Sequence, residues 1–223
     1  MKGLLVKDFL LTTKVQGKTL GFLIVFALAM TFATDNPFFI VSYLTFICSI
    51  FSMNAIVYDE MGNGYSFLFT LPIDTKNYVK SKYIFCTGFT AVSIIVSNIL
   101  AATVCLLRGK EELLAEGKVV SLSMIGMVVL YLAILIPLEL KFSSEKSRVL
   151  IFGVTGGLVA FFLIIVNLIR KNEKMDYGLT NGFMKFVAEV KGYQIALSVL
   201  VLCAIILCIS YMISLRIMRE KEF

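Results

Sequence analysis

The residues best suited to polar chemistry in the first half of the chain lie between Asn54 and Tyr83, in the longest polar interruption between apolar segments there. An acidic pair, Asp59 and Glu60, stands near its beginning, and lysines stand near its end. Carboxylate and ammonium groups outside a bilayer can form ion pairs with a partner protein. We therefore expect this stretch, taken as residues 58–82, to contact something outside the membrane.

The composition indicates that a membrane surrounds this stretch. Of the 223 residues, 59% are hydrophobic and 16% are charged, whereas about a quarter of a soluble domain is charged. The net charge of +6 could attract nucleic acid, but the basic residues are scattered between apolar segments and form no continuous stripe. We predict an all-α polytopic membrane protein that forms one transmembrane domain over residues 1–223, with the lipid bilayer as a partner and no nucleic acid.

Six apolar segments approach the roughly twenty residues that a helix needs to cross a bilayer. An amphipathic interfacial helix over residues 1–18, with Leu5, Val6, Phe9 and Leu10 on its apolar side, is predicted to precede them. The six predicted spans are Leu20 to Thr34, Phe38 to Val57, Tyr83 to Leu107, Val119 to Leu138, Val149 to Ile169 and Tyr193 to Leu215.

The lysines and arginines predict the orientation of these spans, because loops on the cytoplasmic side carry an excess of them. With the N-terminus inside, 13 of the 21 lie on that side. Both termini are therefore predicted to be cytoplasmic. The loops 58–82 and 139–148 then lie inside, and residues 170–192 form an extracellular loop that is basic against the trend.

Several kinds of site have little support in the sequence. The chain has no histidine, which rules out a catalytic histidine, and none of its five cysteines forms a CxxC pair. Gly17, Lys18 and Thr19 resemble the end of a phosphate-binding loop, but Thr12 stands where its first glycine should be. We expect no catalytic, metal or cofactor site and no nucleotide site in this chain.

The predicted spans carry no Asp, Glu, Lys or Arg well inside them. A transporter coupled to protons or ions needs such groups at membrane depth, so energy for uphill transport would have to come from a partner. Ser93, Ser97, Ala101 and Cys105 recur every four residues in the third span, which favours close helix packing. The alternative is that Ser93, Ser97 and Asn98 line a transport path.

Two motifs resemble a known family. The stretch 59–83, read as DE.G.GY.F..TLPI....YV.SKY, is similar to the loop after the second helix of ABC-2-type transporter permeases, and in particular of a short bacterial subfamily with six helices. The residues after the fourth span, from Pro137 to Arg148, resemble that subfamily's LP..FKFG.EKAR pattern, although Ser143 and Ser144 replace the glycine position.

The resemblance implies a permease in the bacterial cytoplasmic membrane that pairs with a second copy or a related permease. Cytoplasmic ABC ATPase subunits would hold the ATP and Mg²⁺, so the chain itself would not be an enzyme. In this family the loop after the second helix forms a short coupling helix on the ATPase. The implied contact residues are Tyr58, Asp59, Glu60, Met61, Gly62, Tyr65 and Phe67, with Lys141, Glu145, Lys146 and Arg148 in the second loop.

The exposed acids of this contact would pair with basic residues of the ATPase, whereas Lys76, Lys80 and Lys82 are predicted to anchor at lipid headgroups. Similar small permeases belong to exporters of amphipathic peptides, including phenol-soluble modulins. Export of hydrophobic or amphipathic peptides is therefore the expected activity. Export of lipid-like or drug substrates, an intramembrane peptide-processing enzyme, and a scaffold or sensor that moves nothing are the alternatives.

Overall fold

The computed structural model describes residues 2–33, 38–61, 64–70, 74–109, 114–142, 149, 153, 155–157 and 192–220. These residues form helices and short turns and contain no strand. The described helices of seven residues or more are α1 (Lys2–Ala33), α2 (Phe39–Glu60), α3 (Gly64–Thr70), α4 (Thr75–Leu107), α5 (Leu114–Lys141) and α6 (Gly192–Glu220).

Five of these helices, all but α3, are long and apolar enough to cross a membrane. This confirms the predicted all-α polytopic membrane fold. The predicted fifth span, Val149 to Ile169, and the extracellular loop 170–192 fall almost entirely outside the described residues. The number of spans and the side on which the termini lie therefore remain predictions.

Helix α1 differs from its prediction in one respect. The sequence suggests an interfacial helix that ends at Lys18 and a separate span that begins at Leu20, but α1 continues through both without a break. At 1.5 Å per residue a helix of this length extends for about 48 Å, whereas the hydrocarbon core of a bilayer is about 30 Å thick. The first turns of α1 therefore extend beyond the apolar core as a continuation of the span.

The side of α1 that faces the protein is polar over its first half. Its buried residues recur every fourth position as Leu4, Asp8, Thr12 and Gln16, because residues four apart share one helix face. Of the apolar side chains predicted for the membrane side, Val6, Phe9 and Leu10 are exposed, whereas Leu5 is half-buried against the core. The apolar and polar faces of α1 are thus directed to lipid and to protein respectively.

Helix α2 is the centre of the described bundle, since it contacts α1, α3, α4 and α5. One buried apolar cluster joins α1, α2 and α4 near the end of α1, and includes Ala27, Phe38 and Ala101. A larger one joins all the described helices near the end of α2. Small residues such as Ala27 and Ala101 allow membrane helices to approach closely.

A charge cluster beneath the α2–α3 turn

The end of α2 and the short helix α3 together form the described part of the loop that the sequence singled out. Tyr58 is half-buried, and its hydroxyl lies 3.3 Å from the Gln16 side-chain nitrogen of α1. Met61 follows α2 with half of its surface exposed, and Glu60 is half-buried. Gly62 lies outside the described residues. The exposed part of this turn is therefore both apolar and acidic.

Gly64 allows α3 to begin close to the end of α2. A Cβ atom at this position would lie 2.3 Å from the backbone oxygen of Asp59. Carbon and oxygen atoms that are not bonded do not approach so closely, and the opposing atom belongs to the backbone and cannot rotate away. A glycine is therefore required where α3 packs against α2.

Two side chains of α3 attach it to the rest of the bundle. Tyr65 and Leu68 are buried, and the Tyr65 ring packs edge-on against Tyr78 of α4, with 5.9 Å between the ring centroids. Burial raises the pKa of the Tyr65 hydroxyl. The interaction with Tyr78 lowers this pKa, and the charge of Glu60, with those of other nearby acids, raises it further. The hydroxyl thus stays neutral at physiological pH. Phe67 belongs to α3, but its side chain is not described.

Beneath α3, Lys82 of α4 points into the contact between α1 and α2. Its ammonium nitrogen lies 2.7 Å from Asp8 Oδ1 of α1 and 2.6 Å from Asp59 Oδ2 of α2. It also donates a hydrogen bond of 3.1 Å to the Ala55 carbonyl oxygen. The hydrogen bonds of Lys82 thus go to Asp8 and Ala55, while its contact with Asp59 Oδ2 is an ion pair. Lys82 and Asp8 have no exposed surface.

A second lysine completes this group at its edge. Lys7 forms an ion pair with Asp59 Oδ1 and lies 3.8 Å from Asp8 Oδ1, with 35% of its side chain exposed. We call Lys7, Asp8, Asp59 and Lys82 the four-charge cluster. Its formal charges sum to zero, as a buried group requires, because an unbalanced charge in an apolar interior is costly.

The cluster corrects two expectations from the sequence. Asp59 was expected as an exposed acid that pairs with a partner, but it is buried and its carboxylate oxygens face Lys7 and Lys82. Lys82 was expected as a headgroup anchor, but α4 begins at Thr75 and places Lys82 two turns inside the helix, on its protein-facing side. Lys76 and Lys80 of the same helix are exposed.

Comparison with known proteins agrees with this architecture. The family model described as ABC-2 family transporter protein matches residues 3–219, nearly the whole chain. The chain belongs to the ABC-2 transporter family. It is thus a membrane-spanning permease subunit of an ABC transporter. Membership of this family implies an ABC ATPase as its partner. Comparisons with curated proteins and with solved structures gave no significant match.

The second loop of the permease is described only at its beginning. Lys141 ends α5, is exposed, and lies 5.7 Å from the Phe142 ring centroid. The other implied contacts of this loop lie outside the described residues, namely Glu145, Lys146 and Arg148. Glu139, which sequence reasoning did not select, is buried in the last turn of α5. Its charge helps to raise the pKa of Tyr65.

The polar residues of the third predicted span have partners inside the bundle. Ser97 is buried and Ser93 is half-buried, and each hydroxyl donates to a carbonyl oxygen three residues earlier in α4. Asn98 Oδ1 accepts a hydrogen bond of 2.6 Å from Ser121 of α5. Ser97, with Ala101 and Cys105, forms a buried stripe, which agrees with the packing interpretation. A path-lining role for Ser93, Ser97 and Asn98 remains a prediction.

Asp8 and Gln16 are the site residues that sequence reasoning missed. The signal that could have found them is the spacing of Asp8, Thr12 and Gln16, three polar residues four apart in a helix whose other sides are apolar or basic. Such a stripe indicates a polar face that needs partners when the helix enters a membrane.

Proposed function

We propose that this permease is the membrane subunit of an ATP-driven exporter that moves hydrophobic or amphipathic peptides out of a bacterial cell. Two permease copies, or one copy and a related permease, would form the path, and cytoplasmic ATPases would bind the ATP and Mg²⁺. The observation that carries the proposal is the α2–α3 turn, in which an exposed apolar residue adjoins a helix that is anchored to the bundle.

The turn has the properties that an ATPase contact needs. Met61 offers an exposed apolar side chain, and Glu60 offers an acid at the same edge. Apolar anchors with charged neighbours are typical of protein contacts that are both specific and strong. Since Asp59 is buried and Glu60 is only half-buried, Glu60 is the acid that we assign to the contact.

Attachment of α3 to the bundle supports its role in coupling. A helix that receives force from a partner moves the membrane helices only if it is packed rigidly against them. Tyr65 and Leu68 provide that packing, and Gly64 lies against the backbone of Asp59. Movement of α3 would thus act directly on α2 and α4.

The apolar character of the described helices supports a hydrophobic or amphipathic cargo. Large apolar side chains are exposed along α4 and α6, including Val92, Ile95 and Ile205. Ser93 and Ser97 of α4 each donate a hydrogen bond from the hydroxyl group to a carbonyl oxygen of the same helix. Surfaces of this kind suit apolar cargo better than a sugar or an ion. Lipid-like and drug substrates share this chemistry and are the alternative cargo.

Charge reversal of Glu60 tests the ATPase contact. In proteoliposomes that contain the permease and the ATPase that copurifies from native membranes, we expect Glu60→Arg to weaken ATPase association and to abolish the stimulation of ATP hydrolysis by a labelled amphipathic helical peptide. Membrane insertion should be unchanged. Glu220→Arg is the matched control, since Glu220 is exposed and pairs only with exposed Arg216 among its described ion-pair partners.

Two results would contradict the proposal at different levels. Normal ATPase association and peptide-stimulated hydrolysis in Glu60→Arg would show that the contact is assigned wrongly. Failure of any nucleotide-binding subunit to copurify in mild detergent would count against an ATP-driven exporter altogether.

A further inference from the structure

We propose that the four-charge cluster makes the first half of α1 move together with α3, with Asp8 and Lys82 as positioning residues for the transport stroke. The proposal rests on the proposed function, because it assumes that the ATPase acts on α3. It adds a role for the first half of α1, which joins the cluster through Lys7 and Asp8.

Two routes of direct contact lead from α3 to the cluster. Gly64 lies against the backbone of Asp59. Tyr65 packs on Tyr78, and the Lys82 ammonium lies 5.3 Å from the centroid of that same Tyr78 ring. A displacement of α3 therefore reaches both Asp59 and Lys82, and each of these bonds to α1.

The attachment of α1 at the other side of the cluster is mainly polar. Its described partners are Lys7 with Asp59, Asp8 with Lys82, and Gln16 with Tyr58. Val6 and Phe9 face outward, while Leu4 is buried in the larger apolar cluster and Leu5 packs against it. Apolar contacts tolerate sliding because they have no preferred direction. Ion pairs and hydrogen bonds, in contrast, weaken when the distance or angle between their atoms changes. The cluster thus holds α1 at one position relative to α2.

The burial of the cluster strengthens this constraint. If the end of α2 and the beginning of α4 moved away while α1 stayed, Asp59 would separate from Lys7 and Lys82 would separate from Asp8 inside a low-dielectric region. An unpaired buried charge costs several kcal/mol, far more than an exposed ion pair contributes. Movement of α1 with α2 and α4 avoids that cost.

A charge-balanced double variant separates this role from a purely structural one. Asp8→Asn and Lys82→Met together remove one negative and one positive charge and leave Lys7 paired with Asp59. Each single variant should lower the thermal unfolding temperature, and the double variant should recover most of that loss. Under our proposal the double variant regains stability, but its mechanical link to α1 stays weaker than in the wild type.

Hydrogen exchange measured by mass spectrometry reads that link directly and needs no cargo. We use the permease with its copurified ATPase, and compare amide exchange without nucleotide and with ATP, Mg²⁺ and vanadate. In the wild type we expect nucleotide to change exchange both in α3 and in the first half of α1. In the double variant the change in α3 should persist and the change in α1 should be clearly reduced, because only the Lys7–Asp59 pair of the cluster remains.

The outcomes separate the two proposals. If nucleotide leaves α3 unchanged in the wild type, the proposed ATPase contact is wrong and this inference falls with it. If α3 responds but α1 does not respond in the wild type, or responds equally in the double variant, only the inference is overturned.

Lys7→Gln serves if the double variant does not fold, because it breaks only the half-exposed pair, and it should reduce the α1 response. Arg216→Gln with Glu220→Gln, which removes an exposed pair, should leave both responses unchanged.

Discussion

At the scale of single residues, Lys82 shows how the same side chain can serve opposite purposes. A lysine next to an apolar segment usually extends toward headgroups and keeps its charge in water. Lys82 instead has no exposed surface, donates hydrogen bonds to Asp8 and Ala55, and forms an ion pair with Asp59. What distinguishes it from exposed Lys80 is the direction in which each leaves α4. The residue type alone carries no information about that direction.

Replacement of Lys82 by Met should be strongly destabilising. The change leaves Asp8 and Asp59 buried with only Lys7 as a cation, and removal of one member of a buried ion pair costs about 3–5 kcal/mol. Thermal unfolding in detergent should show a clear decrease in midpoint temperature. Lys80→Met on the same helix is the control and should change the midpoint little. Equal midpoints for the two variants would contradict the cluster.

Gly64→Ala should disturb the α2–α3 turn. The added methyl group would overlap the Asp59 carbonyl oxygen, and forced overpacking typically costs about 1–3 kcal/mol. We expect faster limited proteolysis in this loop and weaker ATPase association. Gly88→Ala is the control, because a Cβ there meets nothing within 4 Å. Identical proteolysis of the two variants would argue against the close approach of α3 to α2.

At the scale of elements, the apolar runs predict the ends of α2 and α4 that lie far from the α2–α3 turn well, and the ends next to that turn less well. The third span, predicted from Tyr83, lies in a helix that starts at Thr75, and the second span, predicted to Val57, lies in a helix that ends at Glu60. Hydropathy measures how a side chain partitions between water and lipid, so a run stops at the first charge. The helices continue past those charges, and two of them, Asp59 and Lys82, pair with each other within the protein.

The pairing within the candidate site was beyond the sequence for a related reason. Asp8 and Lys82 are 74 residues apart and Lys7 and Asp59 are 52 apart. Local periodicity shows which residues share a helix face, as with Asp8, Thr12 and Gln16, but it does not show which face of another helix lies opposite. The motif around Asp59 therefore indicated the right region, while the partners of Asp59 needed the structure.

The contact between α4 and α5 yields a prediction at this scale. Ser121 donates to Asn98 across the two helices, and hydrogen bonds between membrane helices average about 0.6 kcal/mol. Ser121→Ala should therefore lower stability slightly, as measured by unfolding in mixed micelles. Ser123→Ala is the control, since Ser123 is exposed and bonds to its own helix. A larger loss in the control would contradict this packing role.

At the scale of the whole molecule, charge separates the two ends of the bundle. The four-charge cluster brings together the beginning of α1, the end of α2 and the beginning of α4, and exposed lysines surround that end, among them Lys2, Lys76 and Lys80. At the opposite end Arg108 donates to the Phe32 carbonyl oxygen after α1 and α4 have crossed the bundle. The cluster, the α2–α3 turn and most of the exposed cations of α1 and α4 thus share one side.

That asymmetry predicts the orientation in the membrane. Because cytoplasmic loops retain lysine and arginine, the end with the cluster should face the cytoplasm, where an ATPase can reach α3. A fluorescent protein fused to the N-terminus should therefore fold and fluoresce, since it folds in the cytoplasm. Alkaline phosphatase inserted after Gly109, in the turn that follows α4, should be active, because that enzyme requires an oxidising exterior to form its disulfides. The same phosphatase inserted after Asp74, at the beginning of α4, is the matched control and should be inactive. The reverse pattern would place α3 outside the cell and would remove the ATPase contact, whatever the chemistry of the cluster.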